Sequence, residues 1–206
     1  DDNFYYLIMD YGGTPLYEYI KENIINVKTG KLTPIYWKNH VKKLFKQMLL
    51  YVQWLHSNGV CHLDISIENC VIKGNTVNFI DFGLAEFFKY DFKCRKYCGK
   101  IVYKSPEVYN ENDSFYANKQ DIWSLGVVLF IMLTGVVLYR KPSESDPYYA
   151  NVKAGYLKEM IKSWNLQDNM PEYIYELLNG ILKPENERYT INDILNHKFF
   201  QNVKTY

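Results

Sequence analysis

HLDISIENCVI, residues 62–72, sets an Asp and an Asn five positions apart, with a His two before the Asp and an apolar run behind. Such a stretch has two readings. It is a polar loop ahead of a strand, or it is a loop that holds a carboxylate and an amide for work on a charged group. Leu63, between the His and the Asp, and Ser66, two after the Asp, are unusual for the second. The apolar run continues as CVI–KGN–TVNFID, two short strand-like stretches around a Gly-Asn turn, which predicts a small hairpin. That hairpin would bring Asn69 back beside Asp81.

Outward from this loop, the pattern turns helical. TPIYWKNHVKKLFKQMLLYVQWLHSNG (33–59) places Trp37, Val41, Leu44, Met48, Val52 and Leu55 at steps of three or four, one buried stripe of a helix. Thr33 is the expected N-cap, Pro34 the first helical residue, and Asn58-Gly59 the stop. DIWSLGVVLFIMLTG (121–135) is apolar on nearly every face, so a central helix is expected there. FYYLIMD (4–10), ended by Gly12-Gly13, reads as a strand and residues 14–25 as a short helix. The remainder reads as amphipathic helices joined by polar loops. The expected class is mainly α, with a few short strands.

A chain of 206 residues with a net charge of +1 fits one domain, or one large lobe of something bigger. That charge provides no field for nucleic acid or anionic membrane, and no run approaches the roughly 18 apolar residues of a membrane span. The start, DDNFYYLIMDY, lacks the basic-then-apolar order of a secretion signal, and a cytoplasmic setting is expected. The first strand begins so abruptly that upstream sequence is expected as well. Cys61, Cys70, Cys94 and Cys98 form no CxxC pair and read as free thiols. The skew of 21 Lys against 3 Arg, and the 20 Tyr, carry no functional signal.

Taken singly, each motif is weak; their order and distances are not. His62-Leu63-Asp64 with Asn69, Asp81-Phe82-Gly83, Ser105-Pro106-Glu107, Asp121-Ile122-Trp123-Ser124-Leu125-Gly126 and Arg188 together resemble the eukaryotic protein kinase family. Specifically they resemble its C-terminal lobe, over essentially residues 1–206, and RYTINDILNHKFF matches how that lobe closes. The resemblance implies a helical bundle with short β-hairpins beneath a nucleotide site. It places a hinge at 9–12, a catalytic loop at 62–69 and an activation segment at 81–107. Phosphoryl transfer needs metal charge on the phosphates and a carboxylate to orient the attacking hydroxyl. The resemblance makes Asp64 that carboxylate and gives Mg²⁺ to Asp81 and Asn69, whose hard oxygens suit it. For ATP it implies Met9 as gatekeeper, backbone groups of Asp10, Tyr11 and Gly12 at the adenine edge, and Thr14 at the ribose. Val71 becomes the floor under the adenine, and Glu68 joins the nucleotide site. Glu107 and Arg188 would form a buried ion pair, and Asp121 would accept N–H bonds from the 62–64 loop.

The unusual residues now acquire meaning. Most family members carry Arg where Leu63 stands, to receive a phosphate on the activation segment. Between Gly83 and Ser105 there is no Ser or Thr, only Tyr90, Tyr97 and Tyr103, so the segment is expected to order without phosphorylation of its own Ser or Thr. Serine/threonine kinases place Lys where Ser66 stands, with a Thr in the later segment bonding to it and to the Asp. Here CGKIVYKSPE puts Lys100 in that Thr position. The pair reads as swapped, with Lys100 supplying charge and Ser66 a hydrogen bond, since stabilisation depends on where the charge ends up. The competing reading is a solvated loop lysine.

HLDxSxEN with GKxxYxSPEVY also resembles the divergent FIKK kinases of protozoan parasites. From Leu84 to Lys104 there are six basic and two acidic residues, which suits either an acidic substrate or a solvated loop. No GxGxxG and no lysine strand of the VAIK type is found, so the N-terminal lobe is expected to be a missing partner and this lobe to be inactive alone. The expected function is transfer of the ATP γ-phosphate to protein Ser/Thr hydroxyls, because Glu68-Asn69 follows the serine/threonine pattern. The rivals are a pseudokinase scaffold and a small-molecule kinase, the latter lacking the SPE-to-DIWSLG stretch.

Overall fold

The computed structural model describes residues 6, 8–23, 40–88, 93–165 and 170–201. The lobe-like fold combines a small three-stranded sheet, a second sheet of two short strands and a set of helices. β1 (Thr14–Pro15) leads into α1 (Leu16–Asn23), and α2 (Lys42–Ser57) into β2 (Val60–Cys61). The hairpin β3 (Cys70–Lys73) and β4 (Thr76–Phe79) comes next, then β5 (Glu86–Phe87) and the single turn α3 (Pro106–Tyr109). Helices α4 (Ala117–Thr134), α5 (Pro147–Lys153), α6 (Leu157–Ser163), α7 (Glu172–Ile181) and α8 (Ile191–Leu195) complete the order. The expectation of a mainly helical lobe with short strands is met.

Helix α4 explains where the core sits. Apolar on every side, it has no solvent face to offer, and Gln120 through Thr134 are all buried. Gly126 lets α7 pass close, because a Cβ there would lie 2.5 Å from Ile181 Cγ2. The helix stops at Gly135, whose φ of +75° suits a residue without a side chain. It starts at Ala117, one turn before Asp121, so Asp121 lies inside the helix and not at its start. On α2 the stripe falls where its spacing put it: Val41, Leu44, Met48, Val52 and Leu55 are buried, and Asn58 and Gly59 end the helix. Thr33, Pro34 and Trp37 lie outside the described residues.

Most polar side chains inside this core are paired, as burial demands, the Ser105 hydroxyl being the exception among the described residues. Trp123 Nε1 donates to the Tyr139 hydroxyl at 2.7 Å. Gln120 ties down the stretch before α3, accepting from Ser105 N at 2.8 Å and donating to Tyr103 O at 3.2 Å. At α8, Thr190 and Asp193 form a reciprocal capping box.

The predicted hairpin forms in register, with Cys70 opposite Phe79 and Lys73 opposite Thr76. β1 joins its other side, Thr14 opposite Ile72. The strand expected at 4–10 is not formed at Tyr6 or at 8–10, which are irregular. An extended segment becomes a strand only through a paired ladder, and among the described residues nothing pairs with 8–10. The short helix expected at 14–25 starts instead at Leu16, because Thr14 and Pro15 are taken by the sheet.

Candidate active site

The 62–69 loop hangs from Asp121. Its carboxylate accepts the backbone N–H of His62 at 2.9 Å and of Leu63 at 2.8 Å, as expected, and His56 Nε2 lies 2.9 Å away. His56 was not singled out from the sequence, because its partner is 65 positions on and no local pattern links them. His56, Cys61 and Asp121 bring ligand-type atoms within 4.8 Å of one another. The Asp121 carboxylate is already engaged by the His62 and Leu63 N–H groups and by His56 Nε2. Burial, with the Asp121 charge beside it, pushes the Cys61 thiol up, and burial pushes the Cys70 thiol up to about 12.

His62 couples the loop to the end of the hairpin. Its Nδ1 accepts the Asp64 N–H at 3.3 Å, which leaves the ring proton on Nε2 to be donated to Ile80 O at 3.2 Å. The ring also lies 4.7 Å from that of Phe82. The ladder continues past the strands, with Ile80 N donating to Asn69 O at 2.9 Å. Asn69 and Asp81 are thereby returned to the same end of the hairpin. Leu63 and Asp81 both have left-handed backbones, φ +62° and +63°, an uncommon state for residues with side chains that is concentrated at functional sites.

Asp64 is the hub. Asn69 Nδ2 donates to its Oδ2 at 2.6 Å and to its backbone carbonyl at 2.9 Å. Lys100 donates twice, from its backbone N to Oδ1 at 3.2 Å and from Nζ to Oδ2 at 3.0 Å. The same Nζ donates to Ser66 Oγ at 3.0 Å, and Ser66 Oγ accepts the Asn69 N–H at 3.2 Å. Asp64, Ser66, Asn69 and Lys100 therefore form one closed network. Gly99 makes the approach feasible: its φ is +87°, and a Cβ there would lie 2.7 Å from Leu63 O. Lys100 is tied to both partners and is not a freely solvated loop lysine.

The donor chemistry around Asp64 fits a hard divalent cation. Asn69 spends its amide nitrogen on Asp64, which leaves the amide oxygen available. Exposed Asp81 holds the Gly83 N–H on Oδ1 at 3.2 Å, and its second oxygen is available too. Ahead of β1, Gly12 lies against the hairpin, a Cβ there falling 3.2 Å from Val71 Cγ2 and 3.7 Å from Ile80 Cγ2. Lys73 Nζ donates to Tyr11 O at 3.3 Å. Val71 is buried, whereas Asp10 and Glu68 are exposed and Met9 is 71% exposed. Thr14 is half-buried in β1.

Below the site, Arg188 grips Glu107 with two guanidinium nitrogens at 2.6 and 3.1 Å. Arg188 is 2% exposed, and its guanidinium lies 4.8 Å from the Trp123 ring centroid. This pair ties α3 to the loop before α8, as expected.

A hub carboxylate on an HxDxxxxN loop, an Asp-Phe-Gly at the end of the adjoining hairpin and an ion pair beneath them are an arrangement of the protein kinase type. The family model for the protein kinase domain matches residues 1–200, and the chain belongs to that family. Among curated proteins, the chain is 33% identical over 163 residues to the serine/threonine-protein kinase CHK1 of Mycosarcoma maydis, covering 76% of this chain and 24% of that protein. It is 31% identical over 201 residues to the serine/threonine-protein kinase kin-29 of Caenorhabditis elegans, covering 96% and 22%. It is 28% identical over 208 residues to calcium-dependent protein kinase 4 of Plasmodium falciparum, covering 98% and 36%. The chain thus spans between about a fifth and two-fifths of the length of such relatives.

Proposed function

We propose that this chain is the large lobe of a serine/threonine protein kinase, spanning 1–206 with its hinge at 9–12, catalytic loop at 62–69 and activation segment at 81–107. The small lobe, with the glycine-rich loop, would be its partner in ATP binding, and a protein Ser or Thr hydroxyl its substrate. The observation that carries the reading is the Asp64 hub, a carboxylate held in place by Asn69 and Lys100 at 2.6 and 3.0 Å.

In this reading Asp64 accepts the hydrogen bond, and then the proton, of the attacking hydroxyl. Two donors on Oδ2 and one on Oδ1 fix the carboxylate's rotamer, so no reorganisation is needed when the substrate arrives. Bound Mg²⁺–ATP would supply the phosphoryl group and the charge that neutralises it, with Asn69 and Asp81 holding the metal. Val71 would floor the adenine, backbone groups of Asp10, Tyr11 and Gly12 would meet its edge, and Met9, Thr14 and Glu68 would complete the nucleotide site. Lys100 would place its ammonium at the transferring phosphate, and Ser66 would keep that ammonium in position, the reverse of the usual division between the two segments. The exchange is supported by the shared Nζ contacts to Asp64 and Ser66.

HLDxSxEN and GKxxYxSPEVY support placing the lobe near the FIKK group. Free thiols at Cys61, Cys70, Cys94 and Cys98 suit a reducing, cytoplasmic setting. Among the described residues no helix is long and apolar enough to cross a membrane. The intact Asp64, Asn69 and Asp81 set favour catalysis over a pseudokinase scaffold.

The test is turnover of the full-length protein with Lys100→Ala and with the double exchange Ser66→Lys/Lys100→Thr. Loss of one such electrostatic group is expected to lower kcat by about 10²-fold or more, and the double exchange to recover much of that loss. A Lys100→Ala protein with wild-type turnover removes Lys100 from the mechanism.

A further inference from the structure

Leu63 is 1% exposed and lies in an apolar cluster separate from the main core. Its companions are Cys61, Cys94, Val108, Phe115 and Ala117, with Phe88, Tyr97 and Cys98 packed on the outside. These residues come from the catalytic loop, the activation segment, α3 and the entrance to α4, so the cluster adds an apolar link to the polar ones that Asp121 and Lys100 make between them. Cys94 and Phe115 also exchange both backbone hydrogen bonds, at 2.7 and 3.1 Å. The Tyr97 ring lies 5.7 Å from that of Phe115, and its hydroxyl donates to Asn112 O. Just beyond, at Gly99, the segment turns onto the loop and Lys100 reaches Asp64.

Resting on the reading of Asp64 as the transfer centre, we propose that this cluster is an apolar clasp that sets the activation segment in its working position. Leu63, Cys94 and Phe115 are positioning residues: they touch no reacting atom, but they hold the segment that delivers Lys100. The clasp performs by burial what a phosphate paired with Arg performs by charge. It has two consequences. The segment stays ordered with no phosphate on it, consistent with the lack of Ser or Thr from 84 to 104. Its hold is also insensitive to salt, because apolar contacts are not screened as ion pairs are.

The experiment compares wild-type, Phe115→Ala and Phe115→Leu forms of the full-length protein. Peptide and ATP kinetics are measured before and after a phosphatase that removes Ser, Thr and Tyr phosphate, with hydrogen exchange followed at residues 94–98. The wild type is expected to keep its activity after the phosphatase. Phe115→Ala should lower kcat/KM for peptide by about tenfold or more while leaving KM for ATP within about twofold, and should speed exchange at 94–98. Phe115→Leu should restore most of both. Should Phe115→Ala fail to fold, Cys94→Ala, a smaller truncation, carries the same expectations. The clasp is overturned if the phosphatase abolishes wild-type activity and the lost phosphate maps to 84–104, or if a folded truncation leaves peptide kinetics and exchange as in wild type. Asp64→Asn keeps the two ideas apart, since transfer that survives it refutes the reading of the site and not the clasp.

Discussion

Helix α4 and the hinge are opposites. Along α4 every residue from Gln120 to Thr134 is buried. In the hinge Ile8, Met9 and Tyr11 are 94%, 71% and 73% exposed. The sequence of both is apolar, so hydrophobicity alone does not separate them. The helix satisfies its own backbone and needs only side-chain contacts, which α2, α7 and the stretch before α3 supply. An extended segment such as 8–11 becomes a strand only when another strand pairs its backbone. Among the described residues the helical part is therefore closed around α4, whereas 8–11 leaves its apolar side chains exposed.

Three substitutions probe that contrast, the largest effect first. Arg188→Ala leaves Glu107 charged and buried without its partner, and should cost about 3–5 kcal/mol, read from the shift of a denaturant midpoint. A cost below about 1 kcal/mol would mean that the two ends of the base are joined some other way. Leu125→Ala, in the fully buried helix, should cost about 2–5 kcal/mol depending on how far the cavity collapses. Met9→Ala should change stability by less than about 0.5 kcal/mol, and a much larger loss would show that the hinge is covered in solution and that the contrast is false.

The same physics decides what could be read from the sequence. The stripe of α2, the all-round apolar run of α4 and the Gly74-Asn75 hairpin are local patterns, and the structure follows them. The loop holding Asp64 and Asn69 was legible because its spacing is fixed by one turn of chain, and Lys100 because its place relative to Ser105-Pro106-Glu107 is short-range. The partnership of His56 with Asp121, and of Leu63 with Cys94 and Phe115, had no local signature, since each is made only when distant segments fold together. The strand expected at 4–10 is absent at Tyr6 and at 8–10 for the same reason. Strand propensity is a property of a segment, whereas a strand is a property of a pair.

The central claim is that Asp64 serves phosphoryl transfer to a protein hydroxyl, and transfer of labelled phosphate from ATP to a Ser/Thr peptide by the full-length protein tests it most directly. Transfer should require Mg²⁺ and should fall by about 10²–10⁴-fold in Asp64→Asn. Transfer that is absent with Mg²⁺ present, or that persists undiminished in Asp64→Asn, would contradict the claim.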